Sequence, residues 1–476
     1  MTEVHAPFGA DQEATGVLER DGGGAQRASD PVGGSPSWGR DTVRAPATPW
    51  ALWQRVLFRF FCLYFLLQIA PWTWIRFIPG LGGLTRFHFR LEGWAVEAAN
   101  ARIFRAWDVL VPINGSGDTS YAWTRLWFYL SLAAGGAVVW SVLDRRRTEY
   151  RRLGWGLRTV VRYWVAMAAL SYGIIKLFAL QMPFPSLSQL ATPLGDLLPM
   201  RLSWLFLGYS TRYQVFSGVM ETVAGLLLLN RRTVTLGLLM AAGAFLNVVM
   251  INLSYDVPVK LYSMHLLAGC LFLLALDARR LLTLFVLNRP VSGTSAYQPP
   301  FGGVWPRRAM LALKALVIWS ILVVPLRSGW NRHQAVVAGP PPGPFESGVY
   351  QVTRYERGGE PVEVPSDDPL VWRDVIFDNG GSASVGTADT VFWQRYGRGY
   401  FRYKADAASQ TLAVWRTSAV PDSTYLFDMR YAVAGPGTVH LWTVLGGDSI
   451  HVELTRTDRH FQLAERQFHW LSEYNR

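Results

Sequence analysis

The chain has 476 residues, of which 50% are hydrophobic and 17% charged, and its formal net charge is +12. Apolar segments of membrane-spanning length recur along it, so the composition predicts a polytopic membrane protein and excludes an ordinary soluble globular protein. The positive charge comes from arginines scattered at the ends of apolar segments. This distribution argues against nucleic-acid binding and favours basic loops beside anionic lipid.

The N-terminal residues 1–48 are rich in Gly, Ala, Asp and Pro and show no apolar periodicity. Such a segment buries too little surface to offset its ordering entropy, so we expect a disordered cytoplasmic tail. Because no apolar core follows Met1, we do not expect a signal peptide, and the first apolar segment predicts an uncleaved membrane anchor. Arg55 and Arg59, near the start of that segment, are expected to snorkel to the cytoplasmic interface.

Residues 49–330 are predicted to form a transmembrane bundle of about seven α-helices. The predicted spans are 51–74, 122–142, 157–180, 213–230, 233–253, 259–277 and 309–326. The outer loop at 75–120 contains residues that recur at helical spacing, namely Trp94, Val96, Ala99, Ile103 and Trp107. We interpret it as an amphipathic helix along the membrane surface, with a soluble helix packed on other loops as the alternative.

The short loops between these spans carry a consistent arginine pattern, which predicts the topology. If seven helices alternate, the arginines at 145–147, 151–152, 231–232, 279–280, 289 and 307–308 fall on one side. The positive-inside rule then places the N-terminus in the cytoplasm and the C-terminus outside, with the protein in the cell membrane. The loop at 75–120 carries five further arginines, partly offset by acidic residues, so the short loops decide the orientation.

A Pro/Gly linker at 331–344 is followed by a different sequence texture. Residues 345–476 show short alternating runs such as GYFRYKA and TVHLWTV, divided by turn signals such as DNGG and AGPG. This pattern predicts an extracytoplasmic antiparallel β domain, either a barrel or a sandwich. Its four histidines lack the grouping of metal ligands, so no metal site is predicted.

Among the ionisable residues of the predicted spans, Lys176, Glu221 and His265 lie at depths that allow them to meet in one cavity. Such residues are costly in lipid and usually face the bundle interior, where they are paired and functional. Gly218 and Gly225 share a helix face with Glu221, so another helix can approach it closely. We therefore predict a Lys176–Glu221 ion pair, with all three residues within mutual reach as candidate catalytic, proton-handling groups.

Five further polar residues are predicted to bind a ligand around an outward-opening cavity: Tyr172, Asn247, Asn252, Asp256 and Lys260. Lysine usage supports a chemical role, because only four of the 46 basic residues are lysines and two of them are Lys176 and Lys260. Arginine keeps its proton in a protein, whereas a desolvated lysine can release it. The alternative is a purely structural Lys–Glu bridge, with Lys260 snorkelling outward.

The sequence blocks YGIIKLF, GVMETVAGLLLLNRR and NVVMINLSYDVPVKLYSMHLL resemble the DoxX-like membrane proteins. In these a Gly-x-x-Lys in one helix precedes a Glu with an apolar Gly-x-Leu-Leu run, an Arg and a polar helix end. The resemblance covers about residues 157–290 and implies a DoxX-like core. Because some members are subunits of quinone-linked sulfur oxidation, it implies a quinone as candidate cofactor and another membrane redox subunit as candidate partner.

This chain departs from that family by its extra N-terminal spans and its outer β domain. In architecture it is also similar to the HTTM group, relatives of the vitamin K-dependent carboxylase, which join a helical bundle with a buried Lys to an external β domain. This second resemblance implies a carboxylase-like membrane enzyme. It rests on architecture, without a longer sequence motif to support it.

The sequence leaves three classes of function open. The first is a membrane enzyme or redox subunit whose cavity meets a quinone-like lipid. The second is a transporter or lipid-binding protein that uses the same cavity. The third is an assembly protein in which the polar groups are a brace. Few polar residues continue toward the cytoplasmic side of the fourth to sixth spans, which weighs against transport.

Overall fold

The computed structural model describes residues 49–77, 82–291, 303–339, 343–390, 397–416, 424–466 and 468–471. Within them the chain forms a helical region followed by an antiparallel β domain, so the predicted fold class is confirmed at this level. The predicted disordered tail at 1–48 lies outside the described residues.

The helices of the described residues up to Ala338 are called the bundle below. They are α1 (Leu52–Ile69), α2 (Gly82–Ala99), α3 (Ser120–Leu143), α4 (Arg151–Leu177), α5 (Leu187–Leu190), α6 (Pro199–Tyr209), α7 (Thr211–Leu229), α8 (Val234–Ser254), α9 (Lys260–Ala275), α10 (Ala278–Phe285), α11 (Val304–Ile318) and α12 (Val324–Ala338). A π-helical turn at Trp319–Val323 joins α11 to α12, so the two form one continuous helical segment.

Within the described ranges, five helical segments are long and apolar enough to cross a membrane. They are Leu52–Trp74, Ser120–Leu143, Arg151–Leu177, Val234–Ser254 and Val304–Ala338. A sixth is added if α9 and α10, which meet at a 78° bend, count as one span. The helix at the predicted span 213–230 exists as α7 but is not among the five, because Arg212, Gln214 and Glu221 lower its mean hydropathy. A membrane location is therefore plausible, and the count of seven stays a prediction.

Helix α4 lies at the centre of the bundle and packs closely against α7. A Cβ atom on Gly218 would lie 2.8 Å from both the carbonyl oxygen of Gly173 and the Cβ of Lys176. Seven residues further along α7, a Cβ on Gly225 would lie 2.7 Å from Leu170 Cγ. The predicted glycine face of the Glu221 helix is thus the face on which α4 packs, and the two helices run antiparallel.

At the N-terminal end of α4 the bundle is tied to the start of α1. The backbone N–H of Trp50 donates to the carbonyl of Thr148 at 3.1 Å. Arg59 was expected to snorkel to the interface, and this expectation is wrong: its side chain is 1% exposed. Its guanidinium donates to the Tyr150 hydroxyl at 2.8 and 3.0 Å and to Ser141 Oγ at 2.8 Å, so Arg59 joins α1 to the α3–α4 loop.

The predicted loop helix is present as α2, which begins at Gly82 and leads into a π-helical turn at Asn100–Phe104. Its buried residues include Val96 and Ala99, whereas Trp94 and Ile103 are exposed. A placement of this helix along the membrane surface stays a prediction.

The predicted linker at 331–344 begins later than expected. Helix α12 continues to Ala338, because NRHQAVVA contains no helix breaker, and the prolines start only at position 340. Residues 340–342 lie outside the described residues.

The β domain is a closed barrel. Its strands are β1 (Gly348–Arg357), β2 (Glu360–Val362), β3 (Trp372–Asp378), β4 (Ser382–Thr387), β5 (Gly399–Asp406), β6 (Thr411–Arg416), β7 (Tyr425–Gly435), β8 (Thr438–Leu445) and β9 (Asp448–Thr457), followed by a short helix, α13 (Gln462–Glu465). Every neighbouring pair is antiparallel, and β1 also pairs with β9, which closes an eight-stranded barrel. The short β2 pairs only with the end of β1.

The interior of the barrel is filled by the inward side chains of its alternating strands. Tyr350, Phe377, Leu412 and Leu454 are each exposed by 1% or less. The pairing of β1 with β9 leaves neither of these strands as an open edge, which distinguishes the barrel from two packed sheets.

Candidate functional site

The predicted ion pair between Lys176 and Glu221 is confirmed. Lys176 Nζ donates to Glu221 Oε1, and the two residues are 7% and 3% exposed. Lys176 lies in the last turn of α4 and Glu221 near the middle of α7, where the close approach at Gly218 brings the helix backbones together. The second carboxylate oxygen, Oε2, is buried and has no hydrogen-bond partner among the described residues. The pair therefore keeps one free acceptor.

Both residues line a cavity of about 460 Å³ between α4, α6, α7, α8 and α9. Three of the predicted ligand-binding residues, Tyr172, Asn247 and Asn252, also line it. Most other lining side chains are apolar or aromatic, including Trp204, Leu207, Phe216, Met220, Leu239 and Met240. The site is an apolar chamber with a buried charge pair in its wall.

The amides around the cavity differ in their availability to a ligand. Asn252 Nδ2 donates to Ser263 Oγ at 3.0 Å, and Gln214 exchanges hydrogen bonds with the backbone of Met182 at 2.7 and 3.0 Å. The side chains of Asn252 and Gln214 therefore stabilise the local structure. Asn247 makes no hydrogen bond within the part of the chain that the structure describes, so its amide is available to a ligand.

His265 does not join the charge pair. Its Nδ1 lies 2.5 Å from the carbonyl oxygen of Leu261, which can only accept, so Nδ1 carries a proton. Its Nε2 lies 2.6 Å from the Tyr64 hydroxyl and therefore accepts from it if the ring is neutral. His265 lines a second cavity of about 290 Å³, which shares the side chains of Tyr172 and Tyr262 with the first. The predicted group of three residues thus reduces to the Lys176–Glu221 pair.

Asp256 and Lys260 line neither of these two cavities. Lys260 Nζ donates to Asp256 Oδ1 at 2.6 Å and lies 3.9 Å from Asp118 Oδ2. Asp118 also accepts the backbone N–H groups of Lys260 and Leu261 at 2.7 and 2.9 Å, so it caps the first turn of α9. This cluster closes the α8–α9 turn and is separate from the charge pair.

The sequence interpretation missed the segment that covers the cavity. Gln181, Met182, Trp204 and Leu207, between α4 and α7, line the chamber but were assigned no role. One signal was present: Gln214 lies seven residues before Glu221, two helical turns away on the same face of α7. No comparable sequence signal indicated that the segment between α4 and α7 passes over the cavity.

Comparison with known proteins assigns neither a family nor an activity. No family model matches the chain, and no solved structure matches it. Over 84 residues, 18% of this chain, it is 38% identical to the uncharacterized protein YwoB of Bacillus subtilis (strain 168). The matched part spans 54% of that relative, about half its length. The similarity therefore carries no substrate and no reaction.

Proposed function

We propose that this protein is a multi-pass membrane protein whose cavity binds a quinone-like lipid, with the Lys176–Glu221 pair at the lipid's polar head group. The observation that carries the proposal is the buried pair itself. It lies in the wall of a mostly apolar chamber, and its Glu221 Oε2 has no hydrogen-bond partner among the residues that the structure describes.

The size and chemistry of the chamber match this class of ligand. Small-molecule sites typically occupy about 300–1,000 Å³ and combine an apolar lining with a few placed polar groups. Here the apolar wall suits a ring and the start of an isoprenoid tail, while Asn247 and the pair supply a donor and acceptors. A lysine paired with a carboxylate can also pass a proton to a reduced quinone oxygen, which an arginine cannot.

This proposal retains a DoxX-like core at about 157–290, with another membrane redox subunit as candidate partner. The resemblance supports it through Lys176 and Glu221, which are motif positions and line the cavity. A carboxylase-like activity of the HTTM type has no comparable support.

The apolar side chains buried in the middle of α4 favour a binding function over transport. Between Trp164 and Ile174 the buried side chains of this helix are apolar, including Val165 and Leu170. In this described stretch no buried polar side chain continues from the pair toward the arginine-rich end.

For the topology we propose seven spans, with α7 as one of them. The arginine-rich loops and N-terminus would be cytoplasmic and the barrel extracytoplasmic, in the cell membrane. The close contact of α7 with the spanning helix α4 supports this count.

The test compares Glu221→Gln, Lys176→Met and the double variant with the parent protein. Removing one partner of a buried pair costs about 3–5 kcal/mol, whereas removing both is nearly neutral. We expect both single variants to melt lower in detergent and the double variant to recover. Quinone retained through purification, measured by mass spectrometry, should be lost in all three.

The exposed lysine of α11 provides a matched control, since Lys314→Met removes a lysine outside the cavity. Its stability and its bound quinone should equal those of the parent. If the double variant recovers both stability and bound quinone, the pair is only a brace between two helices and the proposal is wrong.

A further inference from the structure

The cavity is covered by residues 178–210, the segment between α4 and α7, which we call the roof. Its side chains Gln181, Met182, Trp204 and Leu207 line the chamber. It contains the short helices α5 and α6 and a 3-10 turn at Leu194–Asp196, so packing must hold it in place rather than its own helical structure.

On the bundle side the roof is hydrogen-bonded to α7 near its start, and its two ends contact each other. Gln214 of α7 accepts from the backbone N–H of Met182 at 3.0 Å and donates to the carbonyl of Met182 at 2.7 Å. At the other end a Cβ on Gly208 would lie 2.5 Å from the carbonyl oxygen of Pro183, so the two ends of the roof pack together.

On the barrel side the Asp378 carboxylate makes three of the hydrogen bonds that hold the roof. Asp378, the last residue of β3, accepts from Ser188 Oγ at 2.6 Å, from the Ser188 N–H at 3.2 Å and from Ser186 Oγ at 3.3 Å. Ser384 of β4 donates to Ser188 Oγ at 2.7 Å and accepts from Arg398 Nε at 2.9 Å. Ser188 and Ser384 are both 0% exposed.

Apolar contacts complete this junction. Ala191 and Leu187 of the roof pack with Val349, Ile376 and Phe461 of the barrel domain. Because the serines are fully buried, removal of one hydrogen-bond partner leaves a buried polar group unsatisfied and weakens the junction.

We propose that the barrel acts as a latch for the cavity: the Asp378–Ser188 contact holds the roof closed, and its release admits the ligand. This inference rests on the proposed function for the identity of the ligand. It assigns the barrel a regulatory role, since any event that loosens β3 or its Asp378 would open the chamber below. The roof carries both side chains that line the cavity and side chains that contact the barrel. This shared segment couples the two domains.

The test uses the full-length protein in detergent with Ser188→Ala and Asp378→Asn. Hydrogen exchange followed by mass spectrometry should show about tenfold faster exchange in peptides from 181–209, the factor expected when a buried hydrogen-bond partner is lost. Association and dissociation of decyl-ubiquinone should both accelerate, because an opened roof lowers the barrier in each direction. The matched control is Ser409→Ala, which removes a serine that donates to Asp406 at 2.7 Å on an exposed hairpin of the barrel.

The two proposals fail differently. If the parent protein binds no decyl-ubiquinone, the proposed function is wrong, but the exchange measurement still shows whether the barrel holds the roof. Unchanged exchange at 181–209 in Ser188→Ala would overturn the latch, and this variant leaves every barrel residue intact. Faster exchange of the roof with unchanged quinone rates would also overturn it, because the roof would then not control access.

Discussion

Gly173 and Gly218 decide how closely α4 and α7 approach, and through that distance they decide whether Lys176 reaches Glu221. A Cβ on Gly218 would lie 2.7 Å from the backbone nitrogen of Leu177, closer than real contacts allow. Backbone contact at small residues is the usual way in which membrane helices associate. The charge pair therefore depends on the lack of a side chain at both Gly173 and Gly218.

The first prediction is that Gly218→Ala destabilises the protein. The added methyl has backbone on two sides and no flexible neighbour to displace, so we expect a cost of about 1–3 kcal/mol. Gly156→Ala is the control, because nothing lies within 4 Å of a Cβ at that position of α4. Alanine favours a helix, so the control should be neutral or slightly stabilising. Equal unfolding midpoints for the two variants in detergent would show that the close approach at Gly218 is not required.

At the level of residues the sequence predicted the pair but not its surroundings. Lys176 and Glu221 could be matched because both charges needed a partner at similar depth in adjacent helices. His265 satisfied the same depth argument, yet its partner is Tyr64, 201 positions away in α1. Depth along a helix is readable from sequence, whereas the direction in which a buried side chain faces depends on helix order. That order is not encoded locally.

Among the elements, the strands show which part of a fold local pattern can determine. Alternation predicted an antiparallel β domain, and turn signals divided it into hairpins. Closure depends on β1 and β9, whose residues Val349 and Thr457 pair across about a hundred positions of chain. No local signal distinguishes that pairing from the edge strands of a sandwich, so the choice between the two architectures needed the structure.

The second prediction concerns the barrel in alkali. Tyr355 is 1% exposed, its hydroxyl donates to Leu370 O at 2.5 Å, and burial raises its pKa from 10.0 to about 12. Because the folded-state pKa lies above the unfolded one, its contribution to stability is complete below pH 10 and is lost as the pH rises toward 12. Residues 343–476 expressed alone should therefore give a cooperative β-type melt by circular dichroism whose midpoint falls steeply in this pH range.

The variant Tyr355→Phe distinguishes ionisation of Tyr355 from general unfolding in alkali. The variant cannot ionise at this position, so its melting midpoint should fall less between pH 10 and 12, although it starts lower because the hydrogen bond to Leu370 is gone. Parallel pH profiles for the two proteins would contradict the assignment, and a non-cooperative melt would show that the barrel depends on the bundle.

For the whole molecule the two ends of the bundle differ in charge and in role. One end holds the arginines at 145–147 and 231–232 and the contact between Trp50 and Thr148. The other holds the charge pair, the roof and the barrel. Helix α4 joins these ends through 27 residues, about 40 Å at the helical rise, which exceeds the hydrocarbon thickness of about 30 Å.

Helix α7 follows α4 in the opposite direction through the same depth. Gly218 lies against Lys176 and Gly225 lies against Leu170, so the two helices stay in register over at least two turns. Helix α4 is one of the candidate spans, so its close contact with α7 favours α7 as a further span. Gln214 and Glu221, which lower the mean hydropathy of α7, both line the cavity. Composition alone therefore leaves α7 out of the candidate spans.

The third prediction is that α7 crosses the membrane, with the N-terminus inside and the barrel outside. Reporter fusions after Arg147 and Arg232 should report the cytoplasm, because basic residues in short loops are retained there. A fusion at the C-terminus and an insertion at Gly195, an exposed position of the roof, should report the outside. The decisive comparison is Gly195 against Arg232, which flank α7. The same side for both would mean that α7 does not span, and an outside signal after Arg147 would reverse the orientation of the whole bundle.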